Sequence, residues 1–121
     1  MSRLGVVLMR CLAWLPLPVL RALGAFLGWV LYAFALRRRR VGDINLAIAF
    51  PQASPGQRRQ WLRAHFVAFA QAWLDRSWLW HASTEVVSQR LKWVGDASLI
   101  EASEATVVFA PHFVGLDAGG M

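Results

Sequence analysis

The sequence predicts an α/β fold that is entered through an N-terminal membrane helix. Leu17–Leu36 is an apolar run of 20 residues with a single charge, Arg21, near its start. Toward the other end of the chain, Thr106–Ala110 is a short β-branched and aromatic run typical of a buried strand. Leu91–Val94 is a candidate first strand, and Asp96–Glu104 between the two has the pattern of a helix. Together they predict one βαβ unit, parallel and right-handed.

The composition indicates a membrane-associated protein. Of the 121 residues, 57% are hydrophobic and the mean hydropathy is +0.41, both high for a soluble protein. The formal net charge is +6, which suits nucleic acid, an anionic membrane surface or a phosphorylated ligand. The long apolar run beside the charge favours the membrane. Cys11 is the sole cysteine, so an internal disulfide is excluded and a cysteine-based metal site is not expected.

Residues 1–36 are interpreted as a membrane anchor. At about 1.5 Å per residue, Leu17–Leu36 measures roughly 30 Å, enough to cross a hydrocarbon core. Arg37–Arg40 follows at once, and the positive-inside rule places that end in the cytoplasm. Two alternatives stay open. Ala33-Phe34-Ala35 is similar to a signal-peptidase site, and Pro16 with Pro18 allows two half-helices lying in the membrane interface.

Two helices are predicted to follow the anchor. Arg37–Phe50 is expected to form a short helix on the membrane surface, where each basic residue contributes about 1 kcal/mol near anionic lipid. The four arginines either hold lipid head groups or act only as a topology signal, and both interpretations stay open. Ser54 as N-cap and Pro55 in the first turn predict a longer helix from about Gly56 to Trp80.

The longer helix carries an aromatic stripe. Apolar side chains recur at helical spacing, namely Leu62, Phe66, Phe69 and Trp73. Such a stripe favours core or membrane-facing packing over a cofactor site. His65 and His81 stand alone, and no role is predicted for either. A further short helix is predicted over Ser83–Arg90, with Ser83 or Thr84 as its cap.

A candidate catalytic pair follows the second predicted strand. Pro111 cannot donate to a sheet ladder, so it ends Thr106–Ala110 and leaves His112 at the C-terminal mouth of that strand. Asp117 lies five positions later, and the two side chains can face each other if the chain coils from Gly115 onward. A neutral imidazole near a carboxylate is an oriented general base. The spacing alone is a weak signal, because a loop histidine beside a helix N-terminal aspartate has the same pattern.

Several short stretches of the chain, taken in their order along the sequence, form a recognisable pattern. After the apolar N-terminal segment come Arg37-Arg38-Arg39-Arg40-Val41, Asn45-Leu46, Phe50-Pro51, His65-Phe66 and the block from Val107 to Asp117. In this order the chain resembles the lipid A biosynthesis acyltransferases of Gram-negative bacteria, the late enzymes that add secondary acyl chains to the lipid A precursor. The last block matches the family motif His-x-x-x-x-Asp/Glu. The resemblance therefore implies that His112 and Asp117 are the catalytic residues.

The resemblance also implies the reaction and its partners. Acyl transfer would run from acyl-carrier protein to a hydroxyl of a lipid A precursor, at the cytoplasmic face of the cell inner membrane. It implies no metal and no bound cofactor, and Arg37, Arg38, Arg39 and Arg40 are candidates to bind the phosphates of the acceptor. The likeness covers nearly all of this chain but less than half the length of family members. Residues 37–121 are thus expected to be the N-terminal part of an acyltransferase domain with an incomplete βαβ core.

Two other functions stay open. Glycerolipid acyltransferases of the lysophosphatidic acid type share the His-x-x-x-x-Asp motif but usually have Asn before the His and Ser two positions after it. This chain has Pro111 and Val114 at those positions, which favours the lipid A branch. The other alternative is a non-catalytic membrane-bound fragment that binds anionic lipid. An assay of the purified protein for acyl transfer separates catalysis from mere binding.

Overall fold

The computed structural model describes residues 3–92 and residue 94 of the chain. The helices in this part are α1 (Arg3–Ala13), α2 (Leu17–Phe34), α3 (Leu36–Ala49), α4 (Pro55–His81) and α5 (Thr84–Arg90). Helix α4 is the centre of the arrangement, because α1, α2 and α3 all pack against it.

The predicted α/β class is wrong for this part of the chain, since residues 3–92 and 94 contain helices and no strand. The candidate strand Leu91–Val94 fails for a local reason. Leu91 has extended backbone, but it caps the end of α5 and its side chain packs against the helical core. Val94 is 94% exposed, whereas a buried strand requires apolar side chains to be covered. The remaining predicted elements, Asp96–Glu104 and Thr106–Ala110, lie outside the described residues.

Helices α1 and α2 are separated by a proline turn, as the sequence predicts. The backbone N–H of Leu15 donates to the carbonyl of Leu12 at 3.1 Å, and Pro16 then takes an extended conformation. Pro18 falls in the first turn of α2, where its missing N–H would have had no helical partner. Within the described residues, α2 alone is long and apolar enough to cross a membrane, by length and composition.

Helices α2 and α4 approach each other closely at two glycines of α2. A Cβ atom at Gly24 would lie 2.9 Å from the Cα of Gln71, and one at Gly28 would lie 2.5 Å from the Cα of Val67. These separations leave no room for any side chain, so the two helical backbones touch. Spacing of small residues by four positions is the usual way to bring two helices so close.

Helix α4 begins with the cap that the sequence predicts. The Ser54 hydroxyl accepts a hydrogen bond from the backbone N–H of Gln57 at 3.3 Å. In return the Gln57 side-chain oxygen accepts from the backbone N–H of Ser54 at 2.9 Å. This reciprocal capping box satisfies two donors that a helix start otherwise leaves unpaired.

We expect Ser54→Ala to lower the free energy of unfolding by about 1 kcal/mol, because it removes the acceptor at the start of the central helix. Far-UV circular dichroism during urea denaturation in detergent micelles measures this loss. Ser88→Ala is the matched control. The Ser88 hydroxyl bonds the Thr84 carbonyl one turn back in α5, an interaction that does not favour a helix. Equal destabilisation by both variants would contradict a capping role for Ser54.

The aromatic stripe predicted on α4 is divided between two environments. Leu62 and Phe66 are buried, whereas Phe69 and Trp73 are 51% and 44% exposed. The buried face continues along positions four residues apart, through Ala70, Leu74 and Trp78. That ridge is the one that packs against the neighbouring helices, so Phe69 and Trp73 are left on the flank of α4.

The predicted helices at Arg37–Phe50 and Ser83–Arg90 are confirmed as α3 and α5, within one residue at each end. Helix α3 exposes Val41, Ile44 and Ile48 along one face. In α5, hydrogen bonds from the Ser83 side chain and from the backbone lower the pKa of the Glu85 carboxyl.

Candidate functional site

A groove of about 770 Å³ opens where the end of α2, helix α3 and the first half of α4 meet. Its walls are mostly apolar, and its polar side chains are two arginines, an asparagine and a histidine. The lining residues are Leu31, Ala35, Arg37, Arg38, Val41, Gly42, Asn45, Leu62, His65, Phe66 and Phe69. A groove that combines apolar walls with cationic side chains suits an amphipathic anion.

The groove exists because the chain turns sharply at Ala35. The N–H of Ala35 donates to the Leu31 carbonyl at 2.8 Å and closes α2, while its carbonyl accepts from the N–H of Arg39 at 2.9 Å and opens α3. One residue thus ends one helix and begins the next. Gly42 then lets α3 approach α4, since a Cβ there would lie 2.5 Å from a methyl of Leu62.

The corner between α3 and α4 is held by an ion pair and an aromatic contact. Asp43 on α3 accepts from Arg58 on α4 at 3.3 Å, and Arg58 also donates to the Ala53 carbonyl at 2.8 Å. The rings of Phe50 and Trp61 meet edge to face with centroids 5.3 Å apart. These contacts fix the direction of α3 relative to α4, and with it the width of the groove.

The four consecutive arginines have different positions. Arg37 and Arg38 line the groove. The Arg39 guanidinium lies 5.0 Å from the centroid of the Tyr32 ring and donates to the Tyr32 carbonyl at 3.4 Å. Arg40 is exposed on α3. The structure thus brings two of the predicted arginines to the groove and joins a third to α2.

The floor of the groove is aromatic and connects to α2. Phe66 meets Tyr32 edge to face at 5.7 Å, and His65 lies edge to face with Phe66 at 6.2 Å. In the sequence, Asn45 and His65 are named only as part of the family likeness, and no role is predicted for His65. Both side chains line the groove. The sequence gives only a slight indication that Asn45 and His65 line the groove: each lies three or four residues from an apolar residue that also lines it.

The predicted catalytic residues His112 and Asp117 lie outside the described residues. The groove is therefore the functional site that can be built from the described part of the chain, and the catalytic pair stays a prediction.

Comparison with known proteins places the whole chain in one family. Residues 1–121 match the profile of the bacterial lipid A biosynthesis acyltransferases. The chain belongs to this family. Family membership agrees with the resemblance that the sequence motifs indicated.

Curated relatives of this family member share moderate identity with it. It is 28% identical over 109 residues to the lipid A biosynthesis palmitoleoyltransferase of Escherichia coli, covering 88% of this chain and 36% of the relative. It is 27% identical over 119 residues to the lipid A biosynthesis acyltransferase of Haemophilus influenzae, covering 96% of this chain and 38% of the relative. The lipid A biosynthesis lauroyltransferase of Escherichia coli is 24% identical to it over 119 residues, covering 96% of this chain and 39% of the relative. The chain thus spans less than two fifths of the length of these relatives, and no solved structure matches it.

Proposed function

We propose that this chain forms the membrane-binding and acceptor-binding part of a lipid A acyltransferase. The enzyme transfers a fatty acyl chain from acyl-carrier protein to a hydroxyl of a lipid A precursor at the cytoplasmic face of the inner membrane. Family membership over residues 1–121 supports the reaction class. The single structural observation that carries the proposal is the groove with Arg37 and Arg38 beside apolar walls.

The groove fits the chemistry of such an acceptor. A lipid A precursor combines phosphates with acyl chains, so a complementary site requires fixed cations next to an apolar surface. Arg37 and Arg38 provide the cations, since guanidinium groups bind phosphate through two parallel hydrogen bonds. Phe66 and Phe69 with Leu31 provide apolar surface for the first carbons of an acyl chain. Asn45 adds an amide that can bond a sugar hydroxyl.

The chemical step is assigned to His112 and Asp117 of the family motif. In this proposal the His112 imidazole removes the proton from the acceptor hydroxyl, and the oxygen attacks the thioester carbonyl. The carbon–sulfur bond then breaks, and the sulfur of the carrier leaves as a thiol with the proton returned by the imidazolium. Asp117 orients the imidazole and stabilises its charged form, as the carboxylate does in a Ser-His-Asp site. The acceptor takes the place of the serine.

We expect the double substitution Arg37→Gln and Arg38→Gln to raise KM for the acceptor at least tenfold, because hydrogen bonds to charged groups contribute about 1.5–3 kcal/mol each. The assay uses a chimera in which residues 1–121 replace the aligned segment of the Escherichia coli palmitoleoyltransferase. Since the double variant leaves the motif His-x-x-x-x-Asp in place, kcat at saturating acceptor should change much less than KM.

Arg59→Gln is the matched control for loss of positive charge. Arg59 is exposed on α4 and its Nε donates to the Pro55 carbonyl at 3.3 Å, away from the residues that line the groove. If Arg59→Gln raised KM as much, for each charge removed, as the double variant does, Arg37 and Arg38 would act only through their general electrostatic attraction to the membrane. In that case the groove would not be the acceptor site.

A further inference from the structure

Helix α4 accompanies α2 along most of its length, in the opposite direction. At the start of α2, Arg21 pairs with Asp75 at 3.0 Å, and the Gln71 amide donates to the Arg21 carbonyl at 3.1 Å. Near the other end, the Arg63 guanidinium lies 5.6 Å from the centroid of Trp29 and 5.5 Å from that of Tyr32. Between these points Gly24 and Gly28 bring the two backbones into contact. The two helices therefore share one environment.

The charges on α4 are too close together for that shared environment to be a membrane crossing. Arg63 and Asp75 are twelve residues apart, which is about 18 Å along a helix. The hydrocarbon core of a bilayer is about 30 Å thick. If α2 crossed it with α4 attached, at least one of these charged groups would lie deep in hydrocarbon, with the Gln71 amide between them. Ionised side chains in that region are costly and rare.

The face of α2 that α4 leaves uncovered is apolar. At about 100° per residue, Phe26 lies on the side of α2 opposite both Gly24 and Gly28, and it is 65% exposed. Val19 lies on the same side and is half exposed. One side of helix α2 thus contacts α4, which carries the charges, and the opposite side of α2 is an uncovered apolar face.

Helix α1 repeats this arrangement. It packs against α4 on one side, and the opposite side exposes Leu4, Val7 and Leu8. These positions fall on one third of the helix circumference, as expected for a helix lying in an interface rather than crossing it. After α2 come Arg37, Arg38 and Arg40, whose charge complements anionic head groups.

We propose that α1 and α2 lie flat in the interface of an anionic bilayer, with α4 on the water side, and that neither helix crosses it. The uncovered apolar faces of α1 and α2 then contact acyl chains instead of water. The Arg21–Asp75 pair and Arg63 stay at the level of the head groups. Both ends of α2 are then on the same side of the membrane. The inference rests on contacts between α2 and α4 and holds whether or not the proposed acyl transfer is correct.

Single-cysteine labelling tests this arrangement in the full chain expressed in a Gram-negative host. In a Cys11→Ser background, Ser2→Cys marks the residues before α1, and Gln52→Cys marks the exposed turn after α3. Both substitutions leave the number of charges unchanged. A membrane-impermeant maleimide is added to intact spheroplasts and, in parallel, to disrupted membranes. We expect both cysteines to be protected in spheroplasts and labelled after disruption.

Labelling of one cysteine but not the other in intact spheroplasts would overturn the inference, because the two ends of α2 would then be on opposite sides. Labelling of both in intact spheroplasts would support a flat α2 and would contradict only the cytoplasmic side assigned under the proposed function. The two proposals can thus fail separately.

Vesicle flotation tests which surface binds the membrane. We expect the purified chain to float with vesicles of phosphatidylglycerol and phosphatidylcholine, and Phe26→Glu to lower the bound fraction at least tenfold. Gln60→Glu adds the same charge at an exposed position of α4 and should change binding less than twofold. Circular dichroism confirms that both variants keep their helices. Equal binding by the Phe26→Glu variant and the parent chain would overturn the inference.

Discussion

We expect His112→Ala to lower acyl transfer by about 10²–10⁴-fold, the range that a positioned general base contributes. Without the imidazole, the acceptor hydroxyl must lose its proton to water as its oxygen attacks the thioester. The variant is built in the chimera with the Escherichia coli palmitoleoyltransferase and assayed with an acyl-carrier-protein donor. The loss should appear in kcat, because the substitution leaves unchanged the groove that we propose as the acceptor site.

Substitutions at Asp117 separate charge from shape in the same assay. Asp117→Asn keeps the size of the side chain but removes the charge that supports the imidazolium, so activity should fall, although less than with His112→Ala. Asp117→Glu should keep part of the activity, since the family motif admits either carboxylate. His81→Ala, at the exposed end of α4, should remain near the parent rate. If His112→Ala kept most of its activity in a folded, membrane-bound chimera, His112 would be an ordinary loop histidine.

Local sequence signals predicted the helices of the described part well. The start of α4 was predictable because Ser54 and Pro55 act within a single turn, whatever the rest of the chain does. The break between α1 and α2 was predictable for the same reason, since Pro16 removes a donor and fixes its own backbone angle. Signals of this kind depend on neighbours in the sequence and need no knowledge of the fold.

Features that depend on contacts between distant residues were not predictable in the same way. The sequence predicted that Phe69 and Trp73 share one stripe with Leu62. Only the position of α2 decides which residues of this stripe are buried, and Phe69 and Trp73 are not among them. The strand predicted at Leu91–Val94 failed because a short apolar run has the same composition whether it pairs in a sheet or caps a helix against a core. The division of the four arginines depends on the turn at Ala35, which brings two of them to the groove.

The contact between α2 and α4 is the feature on which most of the architecture depends, and Gly28 lies at its closest point. We expect Gly28→Ala to lower the free energy of unfolding by about 1–3 kcal/mol, the usual cost of overpacking a tight interface. The added methyl would meet backbone atoms of Val67 and Phe66, which cannot rotate away, so the helices must separate. Urea denaturation in micelles, followed by circular dichroism, measures the loss.

Two other glycines give matched controls for the same substitution. Gly56→Ala places its methyl 3.8 Å from the Ser54 hydroxyl oxygen, an ordinary van der Waals contact, and should instead stabilise the chain by up to about 1 kcal/mol, because alanine favours a helix over glycine. Gly42→Ala meets only the end of the Leu62 side chain, which can move, so its effect should fall between the other two. If Gly28→Ala stabilised the chain as Gly56→Ala is expected to, α2 and α4 would not be in contact at this point. The reason for placing α2 flat in the membrane would then be lost, because α2 would be free to cross without carrying Arg63 and Asp75 into the bilayer.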